Sequence, residues 1–415
     1  GEGAYNPVVI TQRDWWMDNF YDDLIANIRN GPIYTWVYDA TYTTRAVELA
    51  SVAGAADVPD EAMQIMVSQG DKHLLAFGAT EYAGSTFNPL LIRWSDQGRP
   101  EYWTPEATNS AGFILVPRGS RIVRALPTRQ EIVVFTDGTL NSLQFLGTAD
   151  VFGIQELSDN ISIAGPRSCV AVNNTVYWMG VDKFYAYDGR VQTLNCDLRR
   201  YVFSDINQDQ YDQIFAGTNE GFNEVWWFYC SSGSTVVDKY VVYNYAEDIW
   251  YYGTMGRTAW LDSGIRDYPL AATYTKNLVN HEQGVDNNET ATTTAIEAYI
   301  TSSEFDIGDG HNFGFIWRIL PDITFRGSSA ASPQVTMTLL PLKGSGSGYT
   351  NPASVGGSDN ATVTRTAVVP VEQFTDIIYV RVRGRQLSFK IESNQLGTTW
   401  QLGAPRIDIK PDGRR

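Results

Sequence analysis

The sequence predicts an all-β protein, an irregular β-propeller-like domain followed by an antiparallel β-sandwich. Aromatic residues are abundant among its 415 residues, with 23 Tyr, 18 Phe and 12 Trp beside 36 Gly. Aromatic and β-branched segments separated by glycine-rich turns favour strands over helices. Some of these segments meet across an Asp-Gly pair, as at Asp137-Gly138, which is a strong hairpin signal. The composition, with 43% hydrophobic and only 19% charged residues, excludes a wholly disordered chain.

Residues 13–30 have two interpretations. Four apolar residues recur at every fourth position, as on one face of a helix: Trp16, Phe20, Leu24 and Ile28. Gly31-Pro32 would end such a helix. In the other interpretation, residues 24–28 and 33–38 form two strands joined by a turn. We favour the strands because the rest of the chain has strand patterns.

Short strand pairs then recur at intervals of roughly 45 to 55 residues, which suits the blades of a propeller. The predicted strands are 74–78, 90–94, 132–136, 140–146, 175–179, 184–187, 191–194, 224–229, 239–245 and 249–252. An irregular stack of β-sandwiches would give a similar pattern. The propeller-like domain is predicted to span residues 1–282. Because the chain begins at Gly1 without Met, we expect N-terminal sequence of the full protein to be missing.

A polar, turn-rich segment at 283–295 predicts a linker, and residues 296–415 predict the C-terminal β-sandwich. Seven antiparallel strands are expected there: 296–300, 313–325, 334–342, 362–369, 377–383, 387–392 and 400–410. The Gly/Ser-rich stretch 343–360 predicts a mobile loop within this domain.

The chain is acidic, with a formal charge of −16 and a pI near 4.6, so nucleic acid should be repelled unless a basic patch intervenes. Residues 376–415 are the exception, with eight Lys/Arg against four Asp/Glu. Strand alternation there puts Tyr379, Arg381 and Arg383 on one face, with Arg385 just beyond. Three interpretations of this face are open: a surface exposed to solvent, a contact with another protein and, least favoured, a nucleic-acid-binding site.

The sequence predicts no catalytic, cofactor-binding or metal site. Its three cysteines are far apart and its three histidines belong to no nucleophile motif: Cys169, Cys196, Cys230, His73, His281 and His311. Ser95-Asp96-Gln97-Gly98 with Trp103 resembles the Asp-box of sialidases, but the spacing differs by one residue, so we predict a turn. Residues 306–311 lack calcium-loop spacing and also predict a turn. No apolar run approaches about 18 residues, so no membrane span is expected.

Five segments, in order along the chain, resemble the tail nozzle proteins of short-tailed bacteriophages, also called tail tubular or packaged-DNA-stabilising proteins. They are 91–97 (LIRWSDQ), 224–229 (EVWWFY), 240–245 (YVVYNY), 305–310 (FDIGDG) and 406–415 (RIDIKPDGRR). The resemblance runs from about residue 15 to the C-terminus. It implies a structural virion protein of the phage tail, made in the bacterial host cytoplasm, with propeller and sandwich domains and no enzymatic activity.

The resemblance also implies a homohexameric ring below the phage portal and adaptor proteins. Such a ring extends the DNA conduit, retains packaged DNA, lets double-stranded DNA pass without specific binding and docks fibres or tip proteins. Arg381, Arg383 and Arg385 are then expected at a subunit or ring interface. The alternative is a propeller that binds or cleaves host-surface glycans, with exposed aromatic side chains as sugar platforms: Trp226, Trp227, Trp250 and Tyr251. We favour the interpretation that these four aromatics are core residues of the strands.

Overall fold

A computed structural model describes residues 14–39, 42–148, 150–306, 311–342 and 367–413. In these residues the all-β prediction is confirmed, because antiparallel sheets account for nearly all of the regular structure. The chain divides into two compact units, Gly1–Asp262 and Ser263–Arg415. The segment expected to be a mobile loop, 343–360, lies outside the described residues.

The first unit contains five four-stranded antiparallel sheets, each a meander in chain order, which we call sheets 1 to 5. Sheet 1 consists of β1 (Trp15–Phe20), β2 (Asp23–Ile28), β3 (Ile33–Trp36) and β4 (Val47–Glu48). Sheet 2 consists of β5 (Ala62–Ser68), β6 (His73–Thr80), β7 (Phe87–Trp94) and β8 (Gly112–Leu115). Sheet 3 consists of β9 (Ile122–Pro127), β10 (Ile132–Thr136), β11 (Thr139–Phe145) and β12 (Phe152–Asp159).

Sheets 4 and 5 continue the pattern. Sheet 4 consists of β13 (Cys169–Val172), β14 (Thr175–Met179), β15 (Phe184–Tyr187) and β16 (Val191–Thr193). Sheet 5 consists of β17 (Phe215–Asn219), β18 (Glu224–Tyr229), β19 (Lys239–Asn244) and β20 (Ile249–Thr254). A short strand, β21 (Ala259–Leu261), follows. Five successive four-stranded meanders are the arrangement of propeller blades.

Consecutive sheets pack on one another through shared apolar clusters. Trp178 of sheet 4, for example, packs with Phe135 of sheet 3, and Trp227 of sheet 5 packs with Phe184 of sheet 4. Sheets 1 and 2, and sheets 2 and 3, share their own clusters. β18 of sheet 5 is covered on both faces, by sheet 4 on one side and by Trp260 on the other, which explains why its six residues are all buried without alternation.

Residues 15–20 and 23–28 form strands rather than a helix, as the favoured interpretation predicted, and β1 adds a strand that neither interpretation included. Residues four apart lie on one face of a strand as well as of a helix, because four is an even number. Trp16 and Phe20 are accordingly both buried on β1, while Trp15 and Met17 are exposed.

Short helices connect some of the strands and were not predicted. The one α-helix of the described residues is α1 (Arg199–Asp205), and the 3₁₀ helices are Leu49–Ser51, Gln208–Gln213 and Glu220–Phe222. Leu198, Val202 and Ile206 of the α1 region are buried in the cluster between sheets 4 and 5. Their four-residue spacing was the signal available in the sequence.

The second unit begins with two hairpins and continues into the sandwich. The hairpins pair β22 (Leu270–Ala272) with β23 (Leu278–Asn280) and β24 (Asp286–Asn287) with β25 (Thr294–Ala295). One sandwich sheet has the order β26 (Ala298–Thr301), β33 (Gln386–Ser393), β30 (Gln334–Leu342), β31 (Ala367–Glu372), with β27 (Phe305–Asp306) also paired to β33. The other has the order β32 (Ile378–Gly384), β28 (Gly314–Leu320), β35 (Arg406–Pro411). A further pair joins β29 (Ile323–Thr324) to β34 (Gln401–Leu402).

The boundary between the units falls after Asp262, ahead of the predicted domain end at 282. Residues 263–282 join the second unit because Thr275 and Asn277 hydrogen-bond to Glu289, at 3.1 and 3.2 Å. The predicted linker at 283–295 contains the β24–β25 hairpin, and Asp286 accepts a hydrogen bond from the backbone N–H of Gly397 at 2.8 Å. These contacts attach the segment to the sandwich.

The two sandwich sheets enclose one apolar core. Ile316 and Val382 from one sheet pack with Met337, Leu387 and Ile391 from the other. The β32-β28-β35 sheet therefore has its inner face in the core, and its outer face carries the polar and charged residues discussed next. No helix within the described ranges has both the length and the apolar character that crossing a bilayer requires.

Candidate docking interface

Strand β32 alternates between buried and exposed side chains as the sequence pattern predicts. Ile378, Val380 and Val382 are buried, whereas Tyr379 and Arg381 point outward together with Arg383. The apolar side chains fix the orientation of the strand, because a shift of one residue would put the arginines into the core. Core packing therefore places Arg381 and Arg383 on the surface.

The neighbouring strands supply the rest of this outer face. Phe315 of β28 lies opposite both Arg383 and Lys410, and Arg318 lies opposite both Tyr379 and Asp408. We call the resulting surface the basic-aromatic face. Its residues are Phe313, Phe315, Trp317, Arg318, Tyr379, Arg381, Arg383, Arg385, Asp408, Lys410 and Asp412.

Cationic groups on this face lie over aromatic rings. The Arg318 guanidinium and the Lys410 ammonium are each 4.9 Å from the ring centre of Trp317. The guanidinium groups of Arg383 and Arg385 lie 4.4 and 5.0 Å from the ring centre of Phe313. Attraction between a cation and the ring face holds the charges in defined positions at the surface.

The face has more positive than negative charge. Two carboxylates pair with arginines, Asp408 with Arg318 and Asp412 with Arg383. Five cations and two anions leave a formal charge of +3. Among the described residues, no carboxylate forms an ion pair with Arg381. The structure thus brings together all three predicted residues, with Arg385 half-buried beside Phe313 rather than on the strand.

An exposed aromatic side chain borders the cations, because Tyr379 lies opposite Arg318 in the sheet and is 72% exposed. Aromatic side chains and arginine are enriched at the centres of protein–protein interfaces. The combination of exposed rings with excess positive charge is suited to an acidic protein surface.

The first unit carries a net negative charge, opposite in sign to the charge of the basic-aromatic face. Residues 1–262 contain 32 Asp/Glu and 17 Lys/Arg, a formal charge of −15, whereas residues 263–415 contain 15 and 14. Two clefts of the first unit have acidic walls. One of about 220 Å³ is lined by Asp57, Asp60 and Glu81, and one of about 410 Å³ by Asp22, Asp23 and Glu101.

A serine, a histidine and an aspartate meet in sheet 2 without the arrangement of a hydrolase. The Ser110 hydroxyl lies 3.0 Å from Nε2 of His73 and donates a hydrogen bond to Asp96 at 2.9 Å. In a catalytic triad the carboxylate orients the histidine ring, whereas here it binds the serine. His73 is 1% exposed, and its burial lowers its pKa. This geometry fits a structural hydrogen-bond network.

The other sequence motifs have structural positions. Residues 95–99 form a turn after β7, where Asp96 accepts hydrogen bonds from Ser110, and Trp103 is buried. Most of the 306–311 turn lies outside the described residues. Across the described part of the chain, no group of three or more His, Cys, Asp or Glu is arranged to hold a metal ion.

The aromatic residues considered as sugar platforms are packed within the first unit. Trp227 is fully buried, and its Nε1 donates to the Ser168 carbonyl at 3.0 Å. Trp226 is stacked on Trp260 and donates to the buried Glu224. Trp250 and Tyr251 are half-buried. The two tryptophans of β18 therefore expose no ring face to a ligand.

Comparison with known proteins found no matching family model and no matching curated protein. Many solved structures align with this chain, among them three at low sequence identity. A functionally unknown protein from Desulfotomaculum acetoxidans has 8% identity, with 65% of this chain and 84% of that chain covered, at a TM-score of 0.37. The AfRom2 CNH domain has 11% identity, with 71% and 91% covered, at 0.36. PorZ, a surface component of the type-IX secretion system of Porphyromonas gingivalis, has 9% identity, with 69% and 35% covered, at 0.40. With TM-scores below 0.5, these alignments carry no argument about function.

Proposed function

We propose that this chain is a structural protein of a short phage tail, forming the nozzle ring that extends the DNA conduit below the portal and adaptor. The proposal rests on the sequence resemblance to tail nozzle proteins. The observation in the structure that best supports it is the basic-aromatic face on a chain whose first unit is strongly acidic. A surface of this kind serves self-assembly, since one copy can offer its +3 face to the acidic surface of the next.

Charge complementarity supports a second copy as the partner. The acidic clefts of the first unit offer carboxylates, and the basic-aromatic face offers guanidinium groups held by rings. Contacts between opposite potentials set the orientation of association and raise its rate. In such an assembly each copy uses one surface to contact a different surface of the next copy. These contacts generate a ring when the rotation that relates successive copies closes on itself. The number six comes from the resemblance.

The acidic composition also suits a conduit. Six copies with a formal charge of −16 each carry −96, which repels the phosphates of double-stranded DNA. A duplex can then slide without arrest, whereas a basic wall would bind it and release counterions. In this proposal the chain performs no chemistry and requires no cofactor.

The test is sedimentation velocity over a range of protein and salt concentrations, followed by negative-stain imaging. We expect a ring near six subunits with an axial hole, which dissociates as salt rises. Arg381→Glu should shift the chain toward monomer at low salt. The control is Arg326→Glu, which reverses an exposed arginine of the same unit outside the face and should leave the mass unchanged.

Two results would contradict the proposal. One is a monomer at every concentration and salt level; the other is an Arg381→Glu assembly identical to that of the wild type. A chain that remained monomeric and bound or cleaved host-surface glycans would instead support the alternative of a carbohydrate-active or receptor-binding propeller.

A further inference from the structure

Sheet 1 packs on sheet 2 through one face, and its other face is apolar and exposed. Trp16 and Phe20 of β1 point inward to the cluster shared with sheet 2, whereas Trp15 and Met17 point outward and are 45% and 63% exposed. The register of the strands puts further apolar side chains of β2 and β3 on the outer side. We call this surface the sheet 1 face. Its residues are Trp15, Met17, Leu24, Ala26, Ile28, Tyr34, Trp36, Tyr38 and Tyr42.

Aromatic rings extend the sheet 1 face beyond the end of β3. The rings of Trp36 and Tyr42 are stacked, with 5.8 Å between their centres and 11° between their planes, and Tyr38 meets both edge-on. Nε1 of Trp36 donates to the Thr44 carbonyl at 2.9 Å, which holds the segment after β3 beside the strand. Tyr38 and Tyr42 are nevertheless 55% and 69% exposed. These contacts therefore position the rings without burying them.

The area of the sheet 1 face is that of an interaction surface. Its three strands have six, six and four residues. At about 3.3 Å per residue and about 4.8 Å between strands, they cover about 250 Å². The two tyrosines beyond β3 bring the face to about 300 Å², the lower end of the range for the largest apolar patch of a monomer, which is often functional. A stable contact buries about 800 Å² on each partner, so the sheet 1 face can form its apolar centre.

The surroundings of the sheet 1 face are acidic. Residues 14–48 contain six Asp/Glu and two Lys/Arg, a formal charge of −4. Glu48 of β4 lies opposite Tyr34 in the sheet, so the two side chains share the outer side, and Glu48 is exposed. A symmetric contact between two sheet 1 faces would put carboxylates against carboxylates, which weakens association. The charge therefore favours a basic partner surface.

We propose that the sheet 1 face of one copy docks on the basic-aromatic face of a second copy. The basic-aromatic face has the opposite charge, +3, and is likewise the outer side of a three-stranded sheet, with strands of six or seven residues. Both surfaces present aromatic rings, which are enriched at the centres of interfaces. Because the two surfaces differ, every copy can use both, and the contact repeats from copy to copy. This inference rests on the proposed assembly and names the surface that receives the basic-aromatic face.

Site-specific cross-linking tests which surfaces meet. Met17→Cys gives the chain an exposed thiol, whereas Cys169 and Cys230 are buried and Cys196 is half-buried. A benzophenone maleimide attached there should cross-link to peptides of the basic-aromatic face. When ¹⁵N-labelled and unlabelled chains are mixed at high salt and assembled at low salt, cross-linked pairs should combine the two labels, because the contact joins separate copies.

Variants test the contact by sedimentation velocity. Met17→Lys puts a cation against the basic-aromatic face and should raise the concentration needed for assembly about tenfold or more. The matched control is Leu115→Lys, which changes a 54% exposed side chain on β8 and should assemble like the wild type. Glu48→Arg should also weaken assembly, and Glu48→Arg combined with Arg381→Glu should assemble better than either single variant, because opposite charges again face each other. If Met17→Lys fails to fold, Tyr42→Lys makes the same test at a 69% exposed side chain.

Three outcomes would overturn the inference. They are a Met17→Lys assembly identical to that of the wild type, cross-links confined to one label or to peptides outside the basic-aromatic face, and a chain that is monomeric under all conditions. The results also separate this inference from the proposed function. A ring that is unaffected by Met17→Lys would contradict only the docking, whereas an assembly that is weakened by Met17→Lys but is not a ring would contradict only the nozzle.

Discussion

The replacement of one buried arginine tests how the acidic cleft of sheet 2 is held together. Arg93 on β7 is 1% exposed and forms part of the lining of the 220 Å³ cleft. Its guanidinium donates to the Thr80 carbonyl at 3.0 Å, to the Asp57 carbonyl at 2.8 Å and to the Asp57 carboxylate. Arg93→Met keeps most of the volume while removing the charge and every one of these donors.

The size of the effect follows from what the substitution leaves behind. Removing one partner of a buried ion pair costs about 3–5 kcal/mol, because the other charge stays buried and unpaired. The Asp57 side chain is 26% exposed, so water replaces part of the lost interaction there. The Thr80 carbonyl lies deeper and loses its side-chain partner. We therefore expect a loss near the lower end, about 3 kcal/mol in the free energy of unfolding.

The assay is urea unfolding followed by tryptophan fluorescence. Ten of the 12 tryptophans belong to residues 1–262, so the signal reports mainly on the first unit. The control is Arg99→Met, because Arg99 has a 49% exposed side chain and pairs with Glu101 at 3.3 Å. That substitution should cost no more than about 1 kcal/mol. Equal losses for the two variants would refute the argument that burial decides the cost.

Three further predictions follow from the first unit. Burial lowers the pKa of His73, so the folded state keeps its ring neutral. The free energy of unfolding should therefore fall as pH drops below about 6.5, where His73 of the unfolded chain takes up a proton. His73→Gln should flatten this pH dependence in urea titrations from pH 8 to pH 5. Burial raises the pKa of Cys196 to about 12 and of Cys230 to about 11, so disulfide reagents at pH 8 should label them only on unfolding, and rapid labelling of the native chain would contradict this. Gly217→Ala should cost about 1–3 kcal/mol, because a Cβ there overlaps the Trp260 side chain; an unchanged urea midpoint would show that Trp260 moves aside freely.

Strands joined by short turns were predictable from the sequence because their signals are local. The Asp137-Gly138 pair fixed the ends of β10 and β11, and alternation fixed the faces of β32. Helix α1 was missed because only one of its seven residues, Val202, is buried, and the other two residues of the four-residue spacing, Leu198 and Ile206, flank the helix. The predicted domain end at 282 was placed by polarity, whereas the boundary follows hydrogen bonds that composition does not show.

The grouping of Arg381, Arg383 and Arg385 was predictable because these residues are close together in sequence, so strand geometry alone places them on or beside one face. Trp226 and Trp227 are buried, as the favoured interpretation of them as strand-core residues predicted, because both faces of sheet 5 are covered.

Salt concentration tests the electrostatic basis of the proposed assembly. Charges on the basic-aromatic face meet their partner at the surface, where 0.15 M salt screens interactions beyond about 8 Å. Sodium chloride should therefore dissociate an assembly that depends on Arg381. If the mass of the assembly did not respond to salt, the charge of this face would not be what holds the copies together.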